Sequence, residues 1–263
     1  MGSMLDVFLF VFGAIIGSFL NVTALRWNSG LGLGGRSFCP TCNKNLSWWE
    51  LLPILSFIGL RGRCHKCKSK ISWRYPIVEF VTGLVFLTVF KVLFSGDFNL
   101  LFLIIYTLFI FVGSIFIVIT VYDLRHKIIP NNLVYVSIVL SLIIRVILGG
   151  GVLDYLAGPI LFIFFGLIWL LSKGRAMGFG DAKLALAIGF LLGGAMGFSA
   201  IVLAFWLGAL LGLILIGFSR LIPLLSGGKN ITMKTEIPFA PFMVIGAWLS
   251  LVFQLDILNV LLF

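Results

Sequence analysis

The sequence predicts an all-α polytopic membrane protein with about eight transmembrane helices and a small cytoplasmic zinc-knuckle segment. Of its 263 residues, 61% are hydrophobic and only 11% are charged, whereas an ordinary soluble domain carries about 25% charged residues. So few charged side chains cannot coat a water-exposed surface, and lipid must cover most of the molecule. The apolar residues also occur in long runs, and all four cysteines fall in the one long polar segment.

Eight apolar segments are candidates for membrane-spanning helices, since about 20 apolar residues cross a bilayer as a helix. They are Leu5–Leu25, Pro76–Phe94, Leu100–Val121, Asn132–Leu148, Tyr155–Leu171, Ala182–Leu192, Phe198–Phe218 and Phe239–Val260. The sequence thus divides into a first transmembrane helix at 1–25, a tetracysteine segment at 26–75 and a helical membrane domain at 76–263. The sixth span is short, and the glycines at its end are expected to tilt or distort it.

The lysines and arginines predict the orientation of these helices. A net charge of +10 would suit a nucleic-acid-binding protein, but the basic residues lie between apolar runs, where they set topology. If segment 26–75 is cytoplasmic, 17 of the 19 fall on that side, and only Lys91 and Arg145 lie near the outer ends. This arrangement predicts both termini outside and no nucleic-acid partner. The 17 are Arg26, Arg36, Lys44, Arg61, Arg63, Lys66, Lys68, Lys70, Arg74, Arg125, Lys127, Lys173, Arg175, Lys183, Arg220, Lys229 and Lys234.

The four cysteines form two CxxC pairs, with Cys39 and Cys42 in the first and Cys64 and Cys67 in the second. Two such turns can place four thiolates tetrahedrally around Zn²⁺. Four thiolates leave no open coordination position, so the zinc is expected to be structural. The alternatives are disulfides, which a cytoplasmic location disfavours, and a redox-active CxxC.

Two of the nine acidic residues are candidates for catalysis. Asp123 ends the third span and Asp181 begins the sixth, so topology places both at one membrane face and at a similar depth. A carboxylate at a membrane boundary costs free energy unless it is paired or solvated, and it therefore indicates function. Two facing carboxylates can share one proton, which supplies a general base for water and a general acid for the leaving group.

Two other interpretations of these aspartates stay open. Asp123 is a candidate for a topology-setting pair with Arg125 or Lys127. Alternatively, the protein is a transporter or channel in which Asp123 and Asp181 bind a cation or relay protons. The remaining aspartates at the outer ends of spans are interpreted as interfacial; they are Asp6, Asp97, Asp154 and Asp256.

Six motifs occur in one order along nearly the whole chain. They are Gly17–Val22 (GSFLNV), the paired CxxC, Arg74–Gly83 (RYPIVEFVTG), Asp123 with Ile129–Asn131 (IPN), Gly178–Lys183 (GFGDAK) and Ile237–Phe242 (IPFAPF). As an ordered set they resemble the type IV prepilin peptidases, a branch of the GxGD intramembrane aspartyl proteases. A lone GxGD would be weak evidence, whereas this ordered set is specific.

The resemblance implies a bifunctional membrane enzyme. Such an enzyme cuts the basic leader from type IV prepilins or pseudopilins after a glycine, at the cytoplasmic face of the bacterial inner membrane. Asp123 and Asp181 are then the catalytic dyad, and the prepilin helix and membrane lipid are the partners. Two alternatives remain, namely a zinc-dependent scaffold that docks a component of the pilus assembly machinery and a peptidase without a second activity.

The second activity that the resemblance implies is methylation of the new N-terminal residue with S-adenosylmethionine. Glu79 is the acidic candidate to hold the new α-ammonium, accept its proton or attract the cationic cofactor. Its alternative role is that of an interfacial glutamate paired with Arg74. Asn21 and Gly83 are assigned to the cofactor site by their motif positions.

Overall fold

The computed structural model describes residues 2–28, 34–94, 96–221 and 238–257. Within these ranges the chain is helical, and its only β-pairings are two isolated bridges in the cysteine segment. The chain forms two compact units, 1–121 and 122–263. The prediction of an all-α membrane protein is confirmed.

The described part of the chain contains nine α-helices and one short 3₁₀ helix. They are α1 (Gly2–Arg26), the 3₁₀ helix (Trp48–Leu51), α2 (Leu55–Gly59), α3 (Arg74–Leu93), α4 (Leu100–His126), α5 (Asn131–Leu148), α6 (Val152–Leu171), α7 (Phe179–Leu192), α8 (Gly194–Leu221) and α9 (Ala240–Phe253). Each of the eight predicted spans overlaps a helix, although the described residues Phe94, Phe239 and 254–256 lie outside the helices. Lys229, Lys234, Ile237 and the last three residues of the predicted eighth span (258–260) lie outside the described residues.

Six of these helices are long and apolar enough to cross a membrane, namely α1, α3, α4, α5, α6 and α8. The predicted sixth and eighth spans are the 14-residue helices α7 and α9. Fourteen residues rise only about 21 Å, which is less than the roughly 30 Å of a bilayer's hydrocarbon core. The expectation that the sixth span is short is therefore confirmed.

In the first unit, α1 and α3 pack along a seam of glycines. A Cβ added to Gly17 would lie 2.9 Å from the Cα of Glu79, and one on Gly83 would lie 2.8 Å from the ring and carbonyl oxygen of Phe10. The helix backbones can approach this closely only because these positions carry no side chain. The seam brings the end of α1 next to the start of α3, where Asn21 Nδ2 donates to the carbonyl oxygen of Tyr75 at 3.2 Å.

In the second unit, the short helix α7 is central, because it packs against α5, α6, α8 and α9. Its inward residues are small or aliphatic, and Leu184 and Ile188 are fully buried. A Cβ added to Gly189 would lie 2.6 Å from the Cα of Gly158 on α6, so glycine is required at this contact. A helix enclosed by protein on this many sides needs no full apolar length to be stable, which explains why α7 is short.

The far end of α7 is fixed by a buried arginine. Arg145 of α5 donates from Nε to the carbonyl oxygen of Phe190 at 3.0 Å and from Nη2 to that of Leu191 at 3.1 Å. Asp154 of α6 accepts from the backbone N–H of Gly194, the first residue of α8, at 2.9 Å. One buried cation and one carboxylate therefore satisfy the backbone groups at the corner between α7 and α8.

Candidate active site and metal centre

Asp181 lies in the first turn of α7, at the end opposite to the Arg145 corner. Its Oδ2 atom accepts a hydrogen bond from the backbone N–H of Gly178 at 3.2 Å, and its own N–H donates to the Gly178 carbonyl oxygen at 3.2 Å. This reciprocal arrangement is that of a capping residue at a helix start, where the helix dipole also favours a negative charge. The side chain is nevertheless buried, since only 7% of the residue is exposed.

Asp123 lies near the end of α4 and is also buried, with 4% of the residue exposed. Its carboxylate accepts a hydrogen bond from the backbone N–H of Ala240, at the start of α9. The Oδ2 atom is fully enclosed and has no hydrogen-bond partner among the described residues. A buried carboxylate oxygen without a donor is costly, and its natural partner is a proton, a water molecule or a substrate group.

The two carboxylates lie close enough for the charge of Asp123 to act on Asp181. Within the described ranges, neither forms an ion pair, because the two salt bridges found there join Lys44 with Glu50 and Lys91 with Asp6. Neither of these two salt bridges between described residues joins Asp123 to Arg125 or Lys127. Two neighbouring buried carboxylates without a cation avoid mutual repulsion by sharing a proton.

The first turn of α7 packs closely against the segment that joins α4 to α5. A Cβ added to Gly180 would lie 2.9 Å from the Cβ of Ile129, so a larger residue would push this turn away from the IPN motif. Lys183 Nζ donates to Asn131 Oδ1 at 2.8 Å and to the Tyr135 hydroxyl at 2.9 Å. These bonds join the N-terminal ends of α5 and α7 next to the aspartates.

Three residues that form hydrogen bonds in this site were not predicted as site residues from the sequence, namely Ala240, Lys183 and Tyr135. Lys183 and Ala240 fall within quoted motifs, so the motif positions were the available signal. Tyr135 stands in no motif, and it is found only because α5 brings it opposite α7.

The four cysteines form a single cluster. All four are free, and their Sγ atoms lie within 4.8 Å of one another. Sulfurs bound tetrahedrally at a Zn–S distance of about 2.3 Å lie about 3.8 Å apart, and the Sγ atoms of Cys39 and Cys67 are separated by 3.8 Å. The cluster therefore fits a four-thiolate metal site.

The two cysteine turns have the same backbone hydrogen bonds. Cys39 N–H donates to Lys44 O and Cys64 N–H donates to Ser69 O, five residues on in each case. The residues four positions after these cysteines, Asn43 and Lys68, both have positive φ, at 52° and 59°. Two matching turns that converge on one point are typical of a zinc knuckle.

The thiols have unequal proton affinities. Burial opposes ionisation of Cys39, but backbone donors at Cys42 and Thr41 outweigh it and lower its pKa to about 6. A backbone donor at Lys44 lowers the pKa of Cys42, but burial and the neighbouring sulfurs prevail and raise it to about 11. Four thiolates this close repel one another, and a bound cation removes that repulsion.

The residues predicted for a methyl-donor site lie together along the seam of α1 and α3, and each makes an intrachain contact. Glu79 Oε2 accepts from the backbone N–H of Ile54 at 2.8 Å, and the Ser18 hydroxyl also bonds the carboxylate. Asn21 bonds Tyr75, and Gly83 packs against Phe10. In the described chain Glu79 forms no ion pair with Arg74.

Comparisons with known proteins agree with this geometry. Residues 11–93 match the profile of the bacterial peptidase A24 N-terminal domain, which covers α1, the cysteine segment and α3. Residues 109–216 match the profile of the type IV leader peptidase family, which covers both aspartates. The chain belongs to the type IV leader peptidase family. The predicted resemblance is thus confirmed, and the transporter hypothesis is not favoured.

Individual relatives support the same assignment. A prepilin leader peptidase/N-methyltransferase of Bacillus subtilis is 31% identical over 262 residues, covering 95% of each chain. One from Aeromonas hydrophila is 30% identical over 275 residues, covering 92% of this chain and 88% of the relative. One from Myxococcus xanthus is 32% identical over 198 residues, which is 73% of this chain but 57% of that longer protein. No solved structure matches the chain significantly.

Proposed function

We propose that this protein removes the leader peptide of type IV prepilins or pseudopilins by aspartyl protease chemistry and then methylates the new N-terminus. The observation that carries the peptidase assignment is the pair of buried aspartates: among the described residues, neither is in a salt bridge, and one carboxylate oxygen has no hydrogen-bond partner. The family profiles and the names of the relatives support both activities.

In the proposed cleavage the two aspartates hold one proton between them. The ionised carboxylate takes a proton from water, and the resulting hydroxide oxygen attacks the scissile carbonyl carbon. The protonated carboxyl gives its proton to the carbonyl oxygen, so that a neutral tetrahedral diol forms. When the C–N bond breaks, one carboxyl protonates the leaving nitrogen and the other takes back the diol proton, which restores the starting state.

The structure suggests how each aspartate is held for this chemistry. Gly178 N–H fixes one oxygen of Asp181, and Ala240 N–H bonds Asp123, so both side chains are oriented by backbone donors. Asp123 Oδ2, which has no hydrogen-bond partner among the described residues, is the atom best placed to bind the attacking water. Because these groups are fixed by the fold before substrate binds, little reorganisation is needed during the reaction.

We further propose that this site lies at the cytoplasmic face of the bacterial inner membrane, with both termini outside. The support is the one-sided distribution of lysine and arginine, since cytoplasmic loops of membrane proteins carry an excess of these residues. A prepilin is expected to enter as a membrane helix whose basic leader stays in the cytoplasm. The dyad at the ends of α4 and α7 would then lie at the depth of the scissile bond.

For the second activity we propose S-adenosylmethionine as the methyl donor, which supplies an electrophilic methyl group to the new amine. Asn21, Glu79 and Gly83 are proposed to form one wall of its site, where the cysteine segment meets α3. Glu79 is the only buried acidic residue at that seam in the described chain. The Glu79 carboxylate already accepts hydrogen bonds from Ile54 and Ser18. We therefore propose that Glu79 holds the residues of this wall in position and does not transfer a proton.

The cysteine cluster is proposed to hold structural Zn²⁺ through Cys39, Cys42, Cys64 and Cys67. Binding would stabilise the segment between α1 and α3, because the thiolates are brought together only in the folded chain. Replacing Cys64 with serine is expected to release the ion and to abolish methylation, while the unit that contains the dyad keeps its own fold. Metal content and product masses measured on the same preparation check both parts.

The assignment is tested by intact mass spectrometry of a prepilin incubated with the purified protein, with and without S-adenosylmethionine. Loss of the leader, followed by a single methyl increment when the cofactor is present, is the expected result. Cleavage without the increment from a zinc-loaded sample would retain the peptidase and remove the methyltransferase. No cleavage of several prepilins by folded, zinc-loaded protein would overturn the proposal.

A further inference from the structure

Four large apolar side chains are exposed in and beside the cysteine segment, and none of them lies inside a spanning helix. Trp48 is 77% exposed, Leu55 67%, Ile58 66% and Trp73 70%. We call these four residues the apolar patch. Exposed apolar clusters rimmed by polar residues mark interaction sites on proteins. The patch lies in the part of the chain that the leader peptidase chemistry does not use.

Contacts with α3 fix the position of the apolar patch along that helix. The backbone N–H of Ile54, just before α2, donates to Glu79 Oε2 at 2.8 Å. Glu79 stands five residues inside α3, which corresponds to about 7 Å along the helix axis from its first residue. Phe57 of α2 packs against Trp73 with ring centroids 4.7 Å apart. The start of α2 therefore lies beside the first turns of α3, and the middle of α2 contacts the residue that directly precedes that spanning helix.

The turn that places α2 here has an unfavourable backbone conformation. Ile54 has a φ of 61°, which is rare for a β-branched residue because its Cβ crowds the backbone. The bond to the buried Glu79 carboxylate holds this conformation. Such strain persists only where surrounding structure fixes it, and it often marks a functional constraint.

The segment around the patch is strongly cationic. Residues 26–75 contain nine lysines and arginines but a single acidic residue, Glu50, and that residue is already paired with Lys44 at 3.0 Å. Arg61 and Arg63, which follow α2 directly, are exposed. Four thiolates on a divalent ion would subtract only two charges. Exposed tryptophans and aliphatic residues next to cations are the combination that binds the surface of an anionic bilayer.

We propose that the apolar patch inserts into the headgroup region of the membrane, so that the cysteine segment lies on an anionic lipid surface and does not project into water. Tryptophan prefers this region because its ring is apolar and its N–H is polar. The neighbouring arginines would contact lipid phosphates. This anchoring would hold the metal site against the membrane independently of either proposed reaction.

Tryptophan quenching in nanodiscs tests the proposal on the full-length, zinc-loaded protein. Discs are prepared from phosphatidylcholine alone or with phosphatidylglycerol, with or without bromine on the acyl chains near the headgroup. The emission of a single ring is obtained as the difference between the wild type and Trp48→Phe or Trp73→Phe. Trp49→Phe is the matched control, because Trp49 is adjacent to Trp48 but is 37% exposed and packs against His65 at 5.4 Å.

We expect bromine to reduce the emission of Trp48 and Trp73 about twofold, with a smaller effect on Trp49. Acrylamide dissolved in the water should quench Trp48 and Trp73 only weakly. The quenching should be stronger with phosphatidylglycerol, and the Arg61→Gln/Arg63→Gln variant should lose that difference. The zinc content of each variant shows that it is folded. If Trp48 and Trp73 stay open to acrylamide and insensitive to bromine, the proposal is wrong. It is equally wrong if they become protected only after a prepilin is added, since the patch would then bind protein.

Discussion

Three carboxylates in this protein occupy the same local position and have different surroundings. Asp154, Asp181 and Glu50 each stand three residues after the backbone N–H that they accept, at the start of a helix. The charge of Asp154 interacts with that of Arg145, and its carboxylate also accepts a hydrogen bond from the first N–H of α8. Glu50 forms a salt bridge with Lys44. Among the described residues, the charge that acts on Asp181 is that of Asp123, another carboxylate.

The comparison shows that capping geometry does not decide chemistry. A helix start favours a carboxylate in all three cases, and the sequence patterns GVLD and GFGD are nearly alike. At the start of α6 the preceding helix α5 supplies Arg145, and the carboxylate has a structural role. At the start of α7 the neighbouring group is a second carboxylate, that of Asp123, and this is the pair to which we assign a shared proton in the proposed reaction.

The largest expected effect is on peptide cleavage when the dyad is broken. Asp123→Asn and Asp181→Asn should each lower the cleavage rate by at least about a hundredfold, because an amide can neither accept nor carry the exchanged proton. Asp154→Asn should cleave at nearly the wild-type rate at a temperature where it is folded. Initial rates on one prepilin measure all three, and a strong loss in the Asp154 variant would remove the distinction between the two corners.

The next effect is on stability and comes from the opposite end of α7. Arg145→Gln should lower the stability of the fold by about 1–3 kcal/mol, since the carbonyl groups of Phe190 and Leu191 lose their donors while buried. Arg175→Gln, which changes an exposed arginine, is the control and should have little effect. Thermal unfolding in detergent compares them, and equal midpoints for both variants would argue against a structural role for Arg145.

A smaller effect on rate is expected from Gly180→Ala. The added methyl would meet Ile129 at 2.9 Å and shift the turn that carries Asp181. A displacement of this kind should slow cleavage by roughly ten- to a hundredfold. Gly166→Ala on α6, where a Cβ meets nothing within 4 Å, should keep the wild-type rate. An unchanged rate for Gly180→Ala would show that the dyad tolerates movement of α7.

The smallest effect concerns Glu50 and depends on pH. Burial raises its pKa, but the Ser47 N–H and Lys44 outweigh burial and lower it from the ordinary 4.5. The ionised carboxylate therefore stabilises the segment above pH 4.5, by about 1 kcal/mol or less, and this is lost as the pH falls through the lowered pKa. Relative to the wild type, Glu50→Gln should show faster amide exchange in residues 47–51 at pH 7, with the difference shrinking on acidification.

Much of the molecule could be predicted from sequence because the signals are local. Apolar runs predicted the helices, and the CxxC spacing predicted the cysteine cluster, which the structure confirms as a candidate metal site. The length of α7 was less predictable, since a short buried helix depends on the four helices around it. The assignment of Asp123 and Asp181 as a dyad stays a prediction.

What sequence reasoning missed arises from contacts between distant residues. Asp154 was interpreted as interfacial, and nothing in its local sequence indicates the bond to Gly194, forty residues later. Glu79 was interpreted by its charge, yet in the structure its carboxylate accepts a hydrogen bond from the backbone N–H of Ile54. The glycine at position 83 was assigned by motif, whereas in the structure it lets α1 approach α3.

The claim that Asp123 and Asp181 act as one unit is tested most directly by combining their substitutions. The cleavage rates of Asp123→Asn, Asp181→Asn and the double variant are measured on one prepilin, with zinc content and unfolding temperature as controls for folding. If the pair shares its proton, each single variant is as inactive as the double variant, because residues acting together lose their effect together. If either single variant retains a substantial rate that the double variant lacks, the aspartates act independently and the account is contradicted.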